Sequence, residues 1–374
     1  MSSIMKIGII IEPYEENNAS GIAHCILNQT EGLLNKDYEN EYILYTSKPL
    51  DHKRLIGKSC NILIPSSFLA KNLWFLIMLI LRKKEVLPDV LIFNMPLLPI
   101  VLPRSIKTIP VYYELNAYSG DCKRFFVRSL IMKINDSFKG LAVKRAFHII
   151  TPSDGSRKDI IKYFHLNPNK VTRIYLGFQN LHGYTDSQSE FDKYKNHFLF
   201  VGKVKYKKNL HNILEGFILL KKKHSTSTNK LILVGDYGGE YYEKLQKRIK
   251  NGGLQEDVAF LGYAVKEDLY TLYVNASALI FCTLQEGFGM PIIEAMDLGI
   301  PVITSSRAPM NEIGGDVAFI VDPESPKEIS DAMDTIMFNK EKRDEVIQKG
   351  KERAKLFSWD KHISEFLGII QSIK

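Results

Sequence analysis

The chain reads as an α/β protein made of two parallel-sheet halves, and three observations carry that expectation. Short runs of β-branched and apolar residues alternate with helix-period segments along most of the sequence, the pattern that builds parallel sheets through crossover helices. The 374 residues exceed one ordinary core and fit two compact domains of roughly 150 to 200 residues each. A polar stretch with little periodicity, Gln179 to Asn196, falls between the halves and reads as a linker.

In order, the first half predicts strands at Lys6 to Ile11, Tyr42 to Tyr45, Val90 to Phe93, Ile109 to Tyr112, His148 to Thr151 and Val171 to Tyr175. The second half repeats the rhythm at Phe198 to Gly202, Leu231 to Val234, Val258 to Leu261, Ala278 to Cys282, Pro301 to Thr304 and Ala318 to Val321. Two Rossmann-like domains result, and ligands in open sheets of this kind bind beyond the carboxyl ends of the strands. Functional loops should therefore follow strands.

Composition narrows the class. At 45% hydrophobic and 25% charged residues, the chain is neither disordered, collagen-like nor a multi-span membrane protein. With 50 Lys plus Arg against 42 Asp plus Glu, its net charge is +8, which suits an anionic partner: a nucleotide, a nucleic acid or a membrane surface. Cys25, Cys60, Cys122 and Cys282 are scattered without metal-ligand spacing, so neither disulfides nor structural zinc are expected. Only Ile7 to Ile11 form an apolar run near the first residue, short of a signal peptide, and the reading is a cytoplasmic chain. The longest apolar runs, Leu73 to Leu81 and Val90 to Leu102, fall below the roughly 20 residues that span a bilayer.

The loop after the first strand, Glu12 to Gly21, lacks the G-x-G-x-x-G turn of nicotinamide and flavin enzymes, and no G-x-x-x-x-G-K-[ST] occurs. The richest stretch runs Glu286-Gly287-Phe288-Gly289-Met290-Pro291-Ile292-Ile293-Glu294-Ala295-Met296. It follows a strand, and Pro291 suits the first position of a helix. Backbone amides and a helix N-terminus would converge there, which attracts phosphate. Gly287 and Gly289 tolerate the φ values that aim such amides inward. Glu286 lies before this nest and Glu294 is expected in the first helical turn behind it. Beside an anion, both suit the neutral hydroxyls of a sugar or ribose; the alternative is a solvated loop residue and a carboxylate complementing the helix dipole. A second cluster, Lys203-Val204-Lys205-Tyr206-Lys207-Lys208-Asn209, precedes a helix with apolar residues at Leu210, Ile213, Leu214, Phe217 and Ile218, for which Asn209 reads as the cap. Lys203 and Lys208 there would neutralise a diphosphate leaving group or simply be solvated.

Together these pieces resemble the retaining glycosyltransferases of family 4, in glycosyl transferases group 1, whose fold is GT-B: two Rossmann-like domains facing across a cleft. The resemblance also rests on Leu231-Ile232-Leu233-Val234-Gly235-Asp236, Phe260-Leu261-Gly262-Tyr263, Gly299-Ile300-Pro301-Val302-Ile303-Thr304-Ser305 and Asn311-Glu312-Ile313-Gly314-Gly315-Asp316. It is strongest from Phe198 to Pro323. Phe357-Ser358-Trp359 looks like the start of the closing helix that crosses back to the N-domain. The implied organisation is an acceptor-binding domain at 1–178, a linker at 179–197, a nucleotide-sugar domain at 198–356 and the returning helix at 357–374.

By that resemblance Glu286 holds the donor sugar, and the amides of Gly287, Phe288 and Gly289 line sugar and phosphate. Glu294 binds the nucleotide ribose, and Met290, Pro291, Gly235 and Tyr263 complete the C-domain donor site. Lys208 matches the diphosphate lysine, and Lys203 stands where the family usually has Arg, with a loss of bidentate geometry. Gly21 matches the glycine of the first N-domain loop. Tyr113, Glu114 and Asn116 lie on the acceptor or sugar side, where many members show His-Asp at the positions of Tyr113 and Glu114; a tyrosine carries no imidazolium charge. The implied reaction retains configuration by front-face attack, with a nucleotide sugar (GDP-mannose or a UDP-hexose) as donor. It needs neither cofactor nor metal, and no D-x-D motif is present. The implied acceptor is a glycan or lipid-linked sugar of cell-surface polysaccharide biosynthesis. The Asn311 to Asp316 stretch looks like that of mannosyltransferases.

Residues 121–150 hold seven Lys or Arg (Lys123, Arg124, Arg128, Lys133, Lys139, Lys144, Arg145) against two Asp. Val127, Leu130, Ile131, Ile134, Phe138 and Leu141 follow helical spacing. This basic amphipathic helix, with residues 71–84, fits peripheral contact with anionic lipid on the cytosolic membrane face, or else an ordinary core stripe with a solvated basic side. Nucleic acid is not expected, because no basic and aromatic residues interleave on a strand platform. A non-catalytic nucleotide-sugar-binding protein and another GT-B enzyme, such as a sugar epimerase, are the competing functions.

Overall fold

The computed structural model describes residues 4–11, 21–50, 53–55, 57, 59–94, 102–114, 140–141, 143–184 and 189–373. The chain forms two compact units, one of Met1–Gly177 with Ser358–Lys374, the other of Phe178–Phe357.

In the first unit the strands β1 (Lys6–Ile10), β2 (Glu41–Thr46), β3 (Cys60–Leu63), β4 (Val90–Asn94), β5 (Lys107–Val111), β6 (Ile149–Thr151) and β7 (Val171–Arg173) form one parallel sheet in the order β3-β2-β1-β4-β5-β6-β7. Strand β3 was not expected from sequence. It is a four-residue edge strand, Cys-Asn-Ile-Leu, only partly buried, so it carries neither a β-branched run nor an apolar block. Helices α1 (Gly21–Lys36), α2 (Phe68–Ile80) and α3 (Asp154–Phe164) supply crossovers. Ile7, Ile9, Leu91, Ile92 and Phe93 are fully buried, as the sheet's central strands must be when helices cover both faces. Tyr45 meets Trp74 and Phe75 of α2 edge to face, at centroid distances of 6.1 and 5.6 Å.

The second unit has the strands β8 (His197–Val201), β9 (Leu231–Val234), β10 (Val258–Gly262), β11 (Ala276–Phe281), β12 (Val302–Ser305) and β13 (Phe319–Val321), all parallel, in the order β10-β9-β8-β11-β12-β13. The first strand of this unit thus lies beside its fourth, and the winding reverses between β8 and β11, the topological switch point of a doubly wound sheet. The crossovers are α4 (Leu210–Lys223), α5 (Gly239–Asn251), α6 (Lys266–Val274), α7 (Met290–Asp297) and α8 (Met310–Gly314), and α9 (Pro326–Phe338) and α10 (Lys340–Ala354) follow the last strand. Its centre is aromatic: Phe200 stacks on Phe281 at 6.0 Å, and Phe198 meets Phe217 of α4 at 6.4 Å. A short 3-10 turn at Glu190–Lys193, within the linker stretch, belongs to this unit, and Ser189 donates to Asp268 of α6 at 2.8 Å.

The last helix, α11 (Trp359–Gln371), returns to the first unit. Ser358 caps it by accepting the Lys361 amide at 3.1 Å. His362 donates from Nδ1 to the Tyr175 carbonyl at 2.9 Å and faces the Gln29 carboxamide of α1 at 3.2 Å. Burial pushes its pKa down to about 4, so the imidazole is neutral. Gly177 lies against the Trp359 backbone, where a Cβ would fall 2.5 Å from the amide nitrogen. Because backbone sits there, the site cannot yield by a rotamer change. Gly177→Ala is expected to cost about 1–3 kcal/mol, read as a lower urea midpoint of the whole chain.

Candidate active site

The reversal between β8 and β11 leaves the loops after these strands side by side. The loop after β8 carries the lysines, and the loop after β11 carries the glutamates. Beneath them, Gly235 closes β9 with φ +128°; a Cβ there would lie 2.4 Å from the Gly202 carbonyl oxygen, so only glycine lets the two strand ends touch. The ends are laced by Gly202 N–H to Val234 O at 2.8 Å and Gly235 N–H to Gly262 O at 2.7 Å.

Asn209 joins the two functional loops. Sequence suggested a helix cap, but the residue sits in the left-handed region (φ +63°) and makes no side-chain cap bond. That backbone turns its fully buried amide towards the strand ends, where Nδ2 donates to the Cys282 carbonyl at 2.8 Å and the Pro323 carbonyl at 2.6 Å. The Leu284 amide also donates to the Lys207 carbonyl at 2.8 Å. So clamped, Lys208 forms an ion pair with Glu286, both side chains being largely enclosed (12% and 16% exposed). The Lys208 ammonium also lies 4.9 Å from the centre of the Phe281 ring. Lys203 is exposed and bridges Asp236 at 3.2 Å.

Gly289 precedes α7 with φ +109°, a conformation that turns the chain sharply into the helix. Gly287 does not share it: among the described residues its φ is not positive. Helix α7 starts at Met290, which makes Pro291 its second residue and puts Glu294 beyond the first turn, where the dipole of the N-terminus is no longer the reason for a carboxylate. Glu294 is 9% exposed, and its Oε2 accepts from the Tyr273 hydroxyl of α6 at 2.9 Å. Burial raises its pKa to about 7, which the Tyr273 hydrogen bond opposes. Neither the tether of Asn209 nor the Tyr273 contact was read from sequence. The signal for Tyr273 was an aromatic residue with a polar tip in a helix entering a buried strand, which needs a partner for its hydroxyl.

The Phe288 ring turns inward against Phe357 at 5.9 Å, leaving backbone as its contribution to a ligand. Tyr263 follows β10 and is 65% exposed. Gly21 opens α1 and is exposed. Tyr113, after β5, is 8% exposed; burial drives its pKa far up, and its hydroxyl has no partner among the described residues. Glu114 is half-buried, and Asn116 lies outside the described residues. Cys282 is buried with its thiol pKa pushed up, which is the opposite of an activated nucleophile. Among the described residues no group of His, Cys, Asp and Glu is placed to hold a metal ion.

Two doubly wound parallel units, with functional loops gathered at the second unit's switch point, define the GT-B class. The fold is that of Anabaena HepE, solved in complex with UDP and glucose: TM-score 0.72 at 17% identity, covering 98% of this chain and 100% of that one. Residues 185–353 match the family model of the glycosyl transferases group 1. That match lies within the second unit and, with the relatives that follow, supports a glycosyltransferase of that group. It is 25% identical over 270 residues to O-antigen chain mannosyltransferase B of Escherichia coli, and 32% over 234 residues to the O-antigen chain mannosyltransferase RfbU of Salmonella typhimurium. These matches cover 70% and 61% of this chain, and 69% and 62% of the relatives' own lengths.

The raised pKa of Glu294 has a measurable cost. An acid that titrates at about 4.5 unfolded and about 7 folded holds an extra proton in the native state between those values, so stability falls as pH rises through them. Relative to Glu294→Gln, the wild-type protein should lose roughly 3 kcal/mol of unfolding free energy between about pH 4 and about pH 8, measured by urea titration.

Proposed function

We propose that the chain moves a hexosyl unit from a nucleotide-diphosphate sugar, GDP-mannose or a UDP-hexose, to a glycan or lipid-linked acceptor in cell-surface polysaccharide biosynthesis, with retention of anomeric configuration. The observation that carries this is the Lys208–Glu286 pair at the switch point, beside the N-terminus of α7 with Glu294 behind it. The similarity to O-antigen mannosyltransferases favours a mannose donor and a polysaccharide acceptor.

In this reading the ribose hydroxyls meet Glu294, and the amides at Gly287, Phe288 and Gly289 line sugar and phosphate. Gly21, Gly235, Met290, Pro291 and Tyr263 complete the donor site. Glu286 accepts from sugar hydroxyls and holds the Lys208 ammonium where the diphosphate leaves. The bond from the anomeric carbon to the β-phosphate oxygen breaks, and the acceptor oxygen bonds to the same face of that carbon. The acceptor's proton passes to the departing phosphate oxygen. Lys208, Lys203 and the α7 terminus stabilise the charge that develops there, a task that lysines and a helix dipole perform without a divalent ion. With GDP-mannose, UDP-glucose and UDP-galactose offered separately, one is expected to release nucleoside diphosphate slowly by hydrolysis, undiminished by EDTA. Lys208→Ala and Glu286→Ala should each cut that rate roughly 10²- to 10³-fold, and Lys203→Ala less. Turnover untouched by either of the first two substitutions would sink the assignment, as would binding of every donor without turnover.

A second proposal concerns the membrane. Leu73, Leu76, Ile77 and Ile80 of α2 and Leu81 at its C-cap, at the spacing of one helical face, are 38–70% exposed, and Arg82, Lys83 and Lys84 follow directly. We propose that this face lies on anionic lipid. Lys71, read as part of the same basic fringe, is 1% exposed and does not join it. Of the basic stretch 121–150, residues 121–139 lie outside the described residues; Lys144 is exposed, and Arg145 donates to the Leu102 carbonyl at 2.8 Å. No helix among the described residues is long and apolar enough to cross a membrane. Sedimentation with phosphatidylglycerol vesicles is expected at low salt, weakened at high salt and by Leu73→Ser/Ile77→Ser/Ile80→Ser, whereas no association at low salt would refute it.

A further inference from the structure

The Tyr273 hydroxyl is buried at the second unit's site and no established role accounts for it. Its ring is fully buried in the last turn of α6, and its oxygen lies 2.9 Å from Oε2 of Glu294 and 3.5 Å from the Pro291 carbonyl. One hydroxyl thus touches both the carboxyl and the first turn of α7. Tyrosine has few rotamers, and this one is held on every side by core, so the donor is fixed before any ligand arrives. No other side chain is bonded to the Glu294 carboxyl among the described residues.

We infer that Tyr273 is a positioning residue for the nucleotide's ribose: by donating to Oε2 of Glu294, it fixes the plane of the carboxylate and leaves Oε1 to accept from a ribose hydroxyl. This rests on the reading of Glu294 as the ribose contact. A buried carboxyl left alone holds its proton and presents a donor as well as an acceptor, and a hydrogen bond from Tyr273 favours the ionised acceptor that two vicinal hydroxyls require. A free carboxylate would also have to be immobilised on binding, whereas one already tied by a rigid phenol loses less entropy.

The test uses isothermal titration of the full chain with GDP and with UDP, each beside its 2′,3′-dideoxy analogue. For whichever ribonucleotide binds, Tyr273→Phe should raise Kd about five- to tenfold, the size of one hydrogen bond acting through a charged group. Binding of the dideoxy analogue should be unchanged, so that the preference for ribose narrows. A merely structural tyrosine would weaken ribose and dideoxyribose forms alike, and that result overturns the proposal. Glu294→Gln separates the underlying reading. If it leaves the ribose preference of the wild-type chain intact, Glu294 is not the ribose contact and the role of Tyr273 falls with it; if it abolishes the preference while Tyr273→Phe does not diminish it, only the positioning role is refuted. Circular dichroism of Tyr273→Phe, expected to match the wild-type chain, guards against reading a folding defect as lost affinity.

Discussion

The chemistry of this molecule depends on one buried amide. Two loops leave the sheet at neighbouring strands because the winding reverses there, but adjacency alone does not fix their heights. Asn209 does, by adopting a left-handed backbone that glycine would enter more cheaply and by spending both amide hydrogens on carbonyls of two other segments. The strain of a non-glycine residue at positive φ is small beside the cost of leaving buried carbonyls unpaired. With that tether in place, the lysine and the glutamate loops meet as an ion pair instead of two solvated charges.

The halves, the strand rhythm and the helix after Asn209 were legible because they rest on periodicity, which every residue of a buried element reports. Strand β3 was not, since a short edge strand needs little burial and so leaves little pattern. At the site, residue types and spacing were enough to single out Glu286, Glu294 and Lys208, because phosphate and sugar chemistry restricts which groups can be used. Their mutual arrangement was hidden. Whether Lys208 stands alone or against Glu286 depends on the Asn209 tether, and whether Glu294 lies in the first turn or one step beyond it depends on a helix start shifted by a single residue. Tyr113, placed on the acceptor or sugar side by resemblance, is buried after β5, a depth that a loop position does not report in sequence.

Burial works differently on the two glutamates. Glu286 keeps a cation beside it, so enclosure there is compensated in place. Glu294 has, among the described residues, only a neutral phenol, and the fold tolerates a carboxyl that is reluctant to ionise near neutral pH. Such a group lowers stability and survives where function requires it, which fits its position at the switch point better than a purely architectural role.

The route of the chain through α11 has a further consequence. Because Ser358–Lys374 belongs with Met1–Gly177, the second unit is an insertion in the first, and the contact of Gly177 with Trp359 brings the two crossings together. During synthesis the second unit can therefore finish folding while the first still lacks its last helix. The face of α1 that Ile363 and His362 cover stays open until residues 358–374 emerge. Translation order and spatial order are thus inverted: the half that begins first is completed last.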